Sequence, residues 1–126
     1  MKRFFAIIFA VGLVMVSMAQ NPNTDPKAAK VERAKITAGE TSYAATKKAY
    51  LAKKTDAKLK AKFVQATVEL GTTVMMSPLL SPKEKYPRAL RLYREALQLD
   101  PKNKEALNNK KLIENIYQQM GRPVPK

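Results

Sequence analysis

A striped helix that is interrupted by proline is the feature that most constrains this fold. Between positions 86 and 99 the apolar residues fall on one half of a helix, at about 100° per residue. They are Ala89, Leu90, Leu92, Tyr93, Ala96, Leu97 and Leu99. Pro101 cannot continue this helix and pushes Asp100 out of the α region, yet a second striped segment follows at once. The sequence therefore predicts two helices joined by a short turn.

Residues 1–19 are predicted to be a secretory signal peptide. Lys2 and Arg3 precede an apolar run of thirteen residues, and small residues ending at Ala19 form a cleavage site. The run is shorter than the roughly 20 apolar residues that span a bilayer, so cleavage is favoured over an uncleaved membrane anchor. The mature protein would begin at Gln20 and be exported, either to a periplasm or into the medium.

The rest of the chain predicts a single all-α domain. Residues 20–26 read as a flexible leader, 27–120 as the helical domain and 121–126 as an extended tail. Helical patterns and breaks predict about five helices. These helices would cover, approximately, residues 26–38, 43–54, 56–76, 86–99 and 103–120.

Turn and capping residues set these boundaries. Asp25 is a predicted N-cap before a proline, and Gly121 is a predicted C-cap. Residues 39–42 are expected to break the first helical stretch, and residues 77–87, with three prolines, are expected to form a loop. The helix that starts after Asp56 has apolar residues over much of its circumference, which predicts that it is covered on two sides.

The spacing of Tyr86, Ala89, Tyr93, Ala96 and Pro101 resembles the second helix of a tetratricopeptide repeat (TPR). In that family the small residues let neighbouring helices approach closely, the aromatic ring fills the gap between repeats and the proline ends the unit. The resemblance implies stacked antiparallel helical hairpins with a shallow groove that binds a protein or peptide. It also makes Asp56 and Asp100 equivalent positions.

The resemblance is close over residues 86–109 and loose over 27–120. The loop at 77–87 is about ten residues longer than the family spacing. Lys110 and Lys111 stand where a following repeat would pack, so the last helix is expected to end the stack.

The composition argues against an enzyme. The chain has no His and no Cys, and thus lacks the common neutral-pH base, the thiolate nucleophile and the usual soft-metal ligands. Its four glycines form no phosphate-binding loop. Glu69 is expected to be a surface residue rather than a general base. The sequence predicts no catalytic, cofactor or metal site and no small-molecule substrate.

The net charge of +14 favours anionic partners. Seven lysines lie within sixteen residues and form a candidate patch for an anionic polymer or an acidic partner, although such a run is also typical of a solvated face. These lysines are Lys47, Lys48, Lys53, Lys54, Lys58, Lys60 and Lys62. Lysine lacks the planar guanidinium group with which arginine makes paired hydrogen bonds to base edges, so sequence-specific nucleic-acid binding is not expected.

The presumed groove supplies the second candidate site. By the TPR resemblance, Val64, Val68, Asn108 and Asn115 would face it and hold a peptide through apolar contacts and side-chain amides. The alternative is that the valines pack in the core and the asparagines face water.

Two functions follow from these sites. The first is an exported scaffold that binds an envelope or secreted protein, with a preference for acidic partners. The second is a cationic module that binds a cell-wall polymer, lipid headgroups or extracellular nucleic acid.

Overall fold

The computed structural model describes residues 24–126. Its helices are α1 (Pro26–Ala52), α2 (Ala57–Met76), α3 (Pro82–Leu99) and α4 (Lys104–Gln119). No strand occurs in this range, which confirms the all-α class. The predicted signal peptide and residues 20–23 of the leader lie outside the described residues.

Helix α1 is continuous, so the predicted break at residues 39–42 is wrong and the described residues hold four helices rather than five. Gly39 does not end the helix but lets α1 approach α2 closely, because a Cβ at this position would lie 3.0 Å from Leu70 Cδ1 on α2. The hydroxyl groups of Thr41 and Thr46 donate hydrogen bonds to the backbone carbonyl oxygens of Thr37 and Ser42, four residues earlier. This contact keeps both side chains compatible with a helix.

Helix α3 begins earlier than the sequence predicted. Ser81 and Glu84 form a capping box and Pro82 occupies the first turn, where its missing N–H costs little. Pro87 is accommodated inside the helix. The predicted loop at 77–87 therefore shortens to residues 77–81, and the capping box is the physical reason.

Helix α2 lies at the centre of the fold. It contacts α1, α3 and α4, and α1 runs antiparallel to it, since Gly39 lies beside Leu70 while Tyr50 stacks on Phe63 at 5.6 Å. The apolar residues expected to cover two sides of α2 are all buried. They are Phe63, Val64, Ala66, Val68, Leu70, Val74 and Met75.

The two four-residue turns, α1 to α2 and α3 to α4, share one conformation. The C-cap residues Lys53 (φ −149°, ψ 69°) and Asp100 (φ −135°, ψ 81°) accept hydrogen bonds from the N-cap residues Asp56 and Asn103, at 3.0 and 3.1 Å. Asp56 is therefore equivalent to Asn103 rather than to Asp100. The predicted N-cap at Asp25 is confirmed, and Asp56 is the N-cap of α2. The C-cap of α4 is Met120 rather than the predicted Gly121, which follows it in the left-handed conformation (φ 64°) and ends the helix there.

Among residues 24–126, no helix combines the length and the apolar character that a membrane span needs.

Candidate functional site

The residues that carry the TPR resemblance lie at the contact of α3 with α2. Ala89, Tyr93 and Ala96 are fully or almost fully buried, whereas Tyr86 is partly buried and Pro101 is exposed in the turn. The Tyr93 ring lies against Gly71, where a Cβ would be only 2.9 Å from the ring. Tyr93 thus fills the space between α2 and α3.

The hydroxyl of Tyr93 joins three helices through polar contacts. It lies 3.0 Å from Thr72 Oγ1 and accepts a hydrogen bond from Asn109 Nδ2 at 3.1 Å. Thr72 also donates to Glu105 at 2.7 Å, so α2 and α4 meet at this point. Burial raises the pKa of Tyr93 above its ordinary value of 10.0, although the hydrogen bonds with Thr72 and Asn109 oppose that rise.

A second polar contact joins α1 to α3 across α2. Glu95 accepts hydrogen bonds from the Tyr43 hydroxyl at 2.8 Å and from Lys47 Nζ at 3.0 Å, and Arg88 pairs with Glu40 on the same flank. Burial raises the pKa of Tyr43, and the hydrogen bond with Tyr43 raises the pKa of Lys47. These groups satisfy one another, so they hold helices together rather than present a reactive group.

A cavity lies beside α2, along residues 57–69. Its volume is about 470 Å³, and its wall combines α2 with the turn from α3 to α4 and the start of α4. We call it the α2 cavity. Its lining residues are Ala57, Lys60, Ala61, Val64, Gln65, Val68, Glu69, Leu99, Asp100, Asn103 and Glu105.

The α2 cavity brings together only part of the predicted groove. Val64 and Val68 are 5% and 3% exposed, so they belong to the core and show the cavity only a small part of their surface. Asn108 and Asn115 are exposed on α4 and lie outside the cavity lining. Leu99 completes the apolar floor that the two valines begin.

The lysine patch is on the surface, around the turn from α1 to α2. Five of its seven members are exposed and the other two, Lys47 and Lys60, are partly exposed. Lys47 pairs with Glu95, while none of the others has an ion-pair partner among residues 24–126. Lys60 also lines the α2 cavity.

Sequence reasoning missed the acidic part of the cavity. Glu69, Asp100 and Glu105 come from three separate elements, and their proximity depends on how α4 is placed against α2. One local signal was available, because neither Glu69 nor Glu105 has a Lys or Arg three or four residues away within its helix.

Comparison with protein families, curated proteins and solved structures found no match to this chain. The described residues define an all-α protein with a central helix and a cavity on its flank. The TPR resemblance stays a prediction, because it rests on the spacing of the chain's own residues.

Proposed function

We propose that the protein is an exported, non-catalytic helical scaffold that binds a segment of another envelope or secreted protein in the α2 cavity. The observation that carries this proposal is the cavity itself. It joins an apolar floor to a polar rim, which is the combination that peptide-binding sites use for affinity and orientation.

The helix arrangement supports a TPR-like stack. Helix α2 contacts both α3 and α4, as the first helix of a repeat contacts its partner and the first helix of the next repeat. The two turns of equal conformation stand 47 positions apart, from Lys53 to Asp100, whereas the family period is about 34 residues. The extra length lies in the long α2 and α3 helices, so the proposed stack is a stretched variant.

Photo-crosslinking tests the scaffold function. A photoreactive phenylalanine analogue at Gln65, which is exposed and lines the cavity, is expected to capture a defined protein in cells. The same analogue at Ala45, which is exposed on α1 and lies outside the lining of the α2 cavity, is the matched control.

Occlusion of the cavity gives the second part of this test. Ala61→Trp fills the α2 cavity from an exposed position and is expected to abolish capture at Gln65 without touching the core. Val64→Asp is unsuitable, because it would bury a charge and unfold the protein. Equal capture from Gln65 and Ala45, or capture that Ala61→Trp leaves unchanged, would refute the proposed site.

The cationic-module function is the second candidate, and the unpaired lysines favour it. Binding of a polyanion through several lysines falls steeply with salt, with a slope of about −0.7 to −0.9 per phosphate contact. A variant with Lys48, Lys53 and Lys54 changed to Gln is expected to leave capture at Gln65 intact if the scaffold proposal is correct. Loss of all partner binding in this variant, together with a steep salt dependence, would favour the cationic module.

A further inference from the structure

The carboxylates of this chain divide into paired and unpaired groups. All ten lie within the described residues. Those with a basic partner are Glu32, Glu40, Glu95 and Glu114. Those that cap helix N-termini are Asp25, Asp56 and Glu84. The remaining three are Glu69, Asp100 and Glu105, and all of them line the α2 cavity.

This distribution is unusual for a chain with 24 Lys and Arg residues. Each of the three carboxylates instead accepts a hydrogen bond from a neutral donor, and none of them has an ion-pair partner among residues 24–126. Gln65 Nε2 donates to Glu69 at 2.9 Å, Thr72 Oγ1 donates to Glu105 at 2.7 Å and Asn103 Nδ2 donates to Asp100 at 3.3 Å. One lysine, Lys60, lines the same cavity, so the wall as a whole is negative.

The floor of the cavity restricts the kind of cation that fits. Val64, Val68 and Leu99 are apolar, so the occupant needs an aliphatic part as well as a charged end. Metal ions do not meet this need, and among residues 24–126 no group of carboxylates is gathered closely enough to hold one. Lysine and arginine side chains have both parts.

We propose that the α2 cavity binds a basic side chain, lysine or arginine, of the partner polypeptide, with a neighbouring apolar side chain of that partner on the floor. Glu69, Asp100 and Glu105 all line this cavity, and their negative charges attract the cation. This inference rests on the proposed scaffold function. It reverses the expectation from net charge, because the partner segment is basic although the protein itself is basic.

The charge of the whole chain gives this site a distinctive salt dependence. At about 0.01 M salt the Debye length is about 30 Å, and the positive net charge repels a basic segment, since it is +14 for the whole chain and +12 once Lys2 and Arg3 leave with the signal peptide. At about 0.15 M it is about 8 Å, so the distant lysines are screened while the nearby carboxylates still attract. Binding of a basic segment should therefore hold or strengthen over this range, whereas polyanion binding to the lysine patch should weaken.

Selection from a phage-displayed library of random peptides tests the inference. The library is selected on the whole protein, and peptides that also bind the Ala61→Trp variant are discarded. The survivors are expected to carry Lys or Arg beside an apolar residue. Their affinity should fall about tenfold in the Glu69→Gln/Glu105→Gln variant, as expected when charge-assisted hydrogen bonds become neutral.

The control variant is Glu32→Gln/Glu114→Gln, which removes the same charge outside the cavity and is expected to leave affinity unchanged within about twofold. Survivors that are acidic or uncharged, or that bind the Glu69→Gln/Glu105→Gln variant equally well, would overturn the basic-segment proposal and leave the scaffold function standing. The absence of any peptide sensitive to Ala61→Trp, together with no capture at Gln65, would overturn both.

Discussion

Replacement of Gly71 by alanine puts a methyl group against the buried ring of Tyr93. The new Cβ would lie 2.9 Å from Tyr93 Cε1, 3.1 Å from Cζ and 3.3 Å from Cδ1. Tyr93 is fully buried, and its hydroxyl is fixed by Thr72 and Asn109. The ring cannot turn away without loss of these contacts, so α2 and α3 must move apart by several tenths of an ångström.

The magnitude follows from two opposing effects. Overpacking of a well-packed core costs about 1–3 kcal/mol. Alanine in a helix interior recovers about 0.8–1.0 kcal/mol relative to glycine. Because the ring is held on both its face and its hydroxyl, the upper half of the overpacking range applies, and Gly71→Ala should lower the free energy of unfolding by about 1–2 kcal/mol.

Gly39→Ala is the matched control, since it places the same change inside α1. Its Cβ would lie 3.0 Å from Leu70 Cδ1 and at an ordinary contact distance of 3.8 Å from Leu70 Cα and Cβ, so a small shift of the Leu70 methyl group relieves the close contact. Its free energy of unfolding should stay the same or rise by up to about 1 kcal/mol.

Urea unfolding followed by circular dichroism at the helix band measures both variants. A Gly71→Ala variant as stable as the wild type would refute the close contact of α2 with α3. A strongly destabilised Gly39→Ala variant would show that the buried Leu70 side chain cannot move to make room for the new methyl group.

Two further predictions concern the tyrosines. Tyr93→Phe should lower the free energy of unfolding in urea by about 1 kcal/mol, because it removes the hydroxyl that contacts Thr72 and Asn109. Tyr93→Ala should lower it by about 3–5 kcal/mol, because it also removes the buried ring. Equal losses in the two variants would place the ring outside the core. Since burial raises the pKa values of Tyr43 and Tyr93, the stability linked to their neutral forms is complete below pH 10.0 and is lost as the pH rises above it. The urea midpoint should fall in that range, less so in a Tyr43→Phe/Tyr93→Phe variant, and an identical fall in both proteins would contradict the pKa shifts.

Local chemistry made most of the fold predictable. The caps at Asp25 and Asp56 depend on neighbours along the chain, and the burial of Ala89, Tyr93 and Ala96 follows from helical periodicity. The break at residues 39–42 was mispredicted for the opposite reason. A glycine followed closely by Thr41 and Ser42 is typical of a turn. In the structure, Gly39 instead makes room for Leu70, which is distant in the sequence but packs against it.

The candidate site was predictable only in its apolar part. Val64 and Val68 lie on the same apolar face of one helix, which helical periodicity predicts. The predicted amide partners Asn108 and Asn115 lie outside the α2 cavity. The cavity depends on how the α3 to α4 turn meets the flank of α2, and no local pattern encodes that placement. Glu69 looks like an ordinary surface residue until Glu105 is brought beside its helix by packing.

Chemical-shift mapping shows where a bound peptide lies on the protein. The protein labelled with ¹⁵N is titrated with a peptide from the library selection at about 0.15 M salt. We expect the largest amide shifts at the cavity residues Ala61, Gln65, Glu69 and Asn103, and we expect Ala61→Trp to abolish them. Shifts centred on the exposed lysines of the turn from α1 to α2, with the cavity residues unmoved, would contradict this expectation.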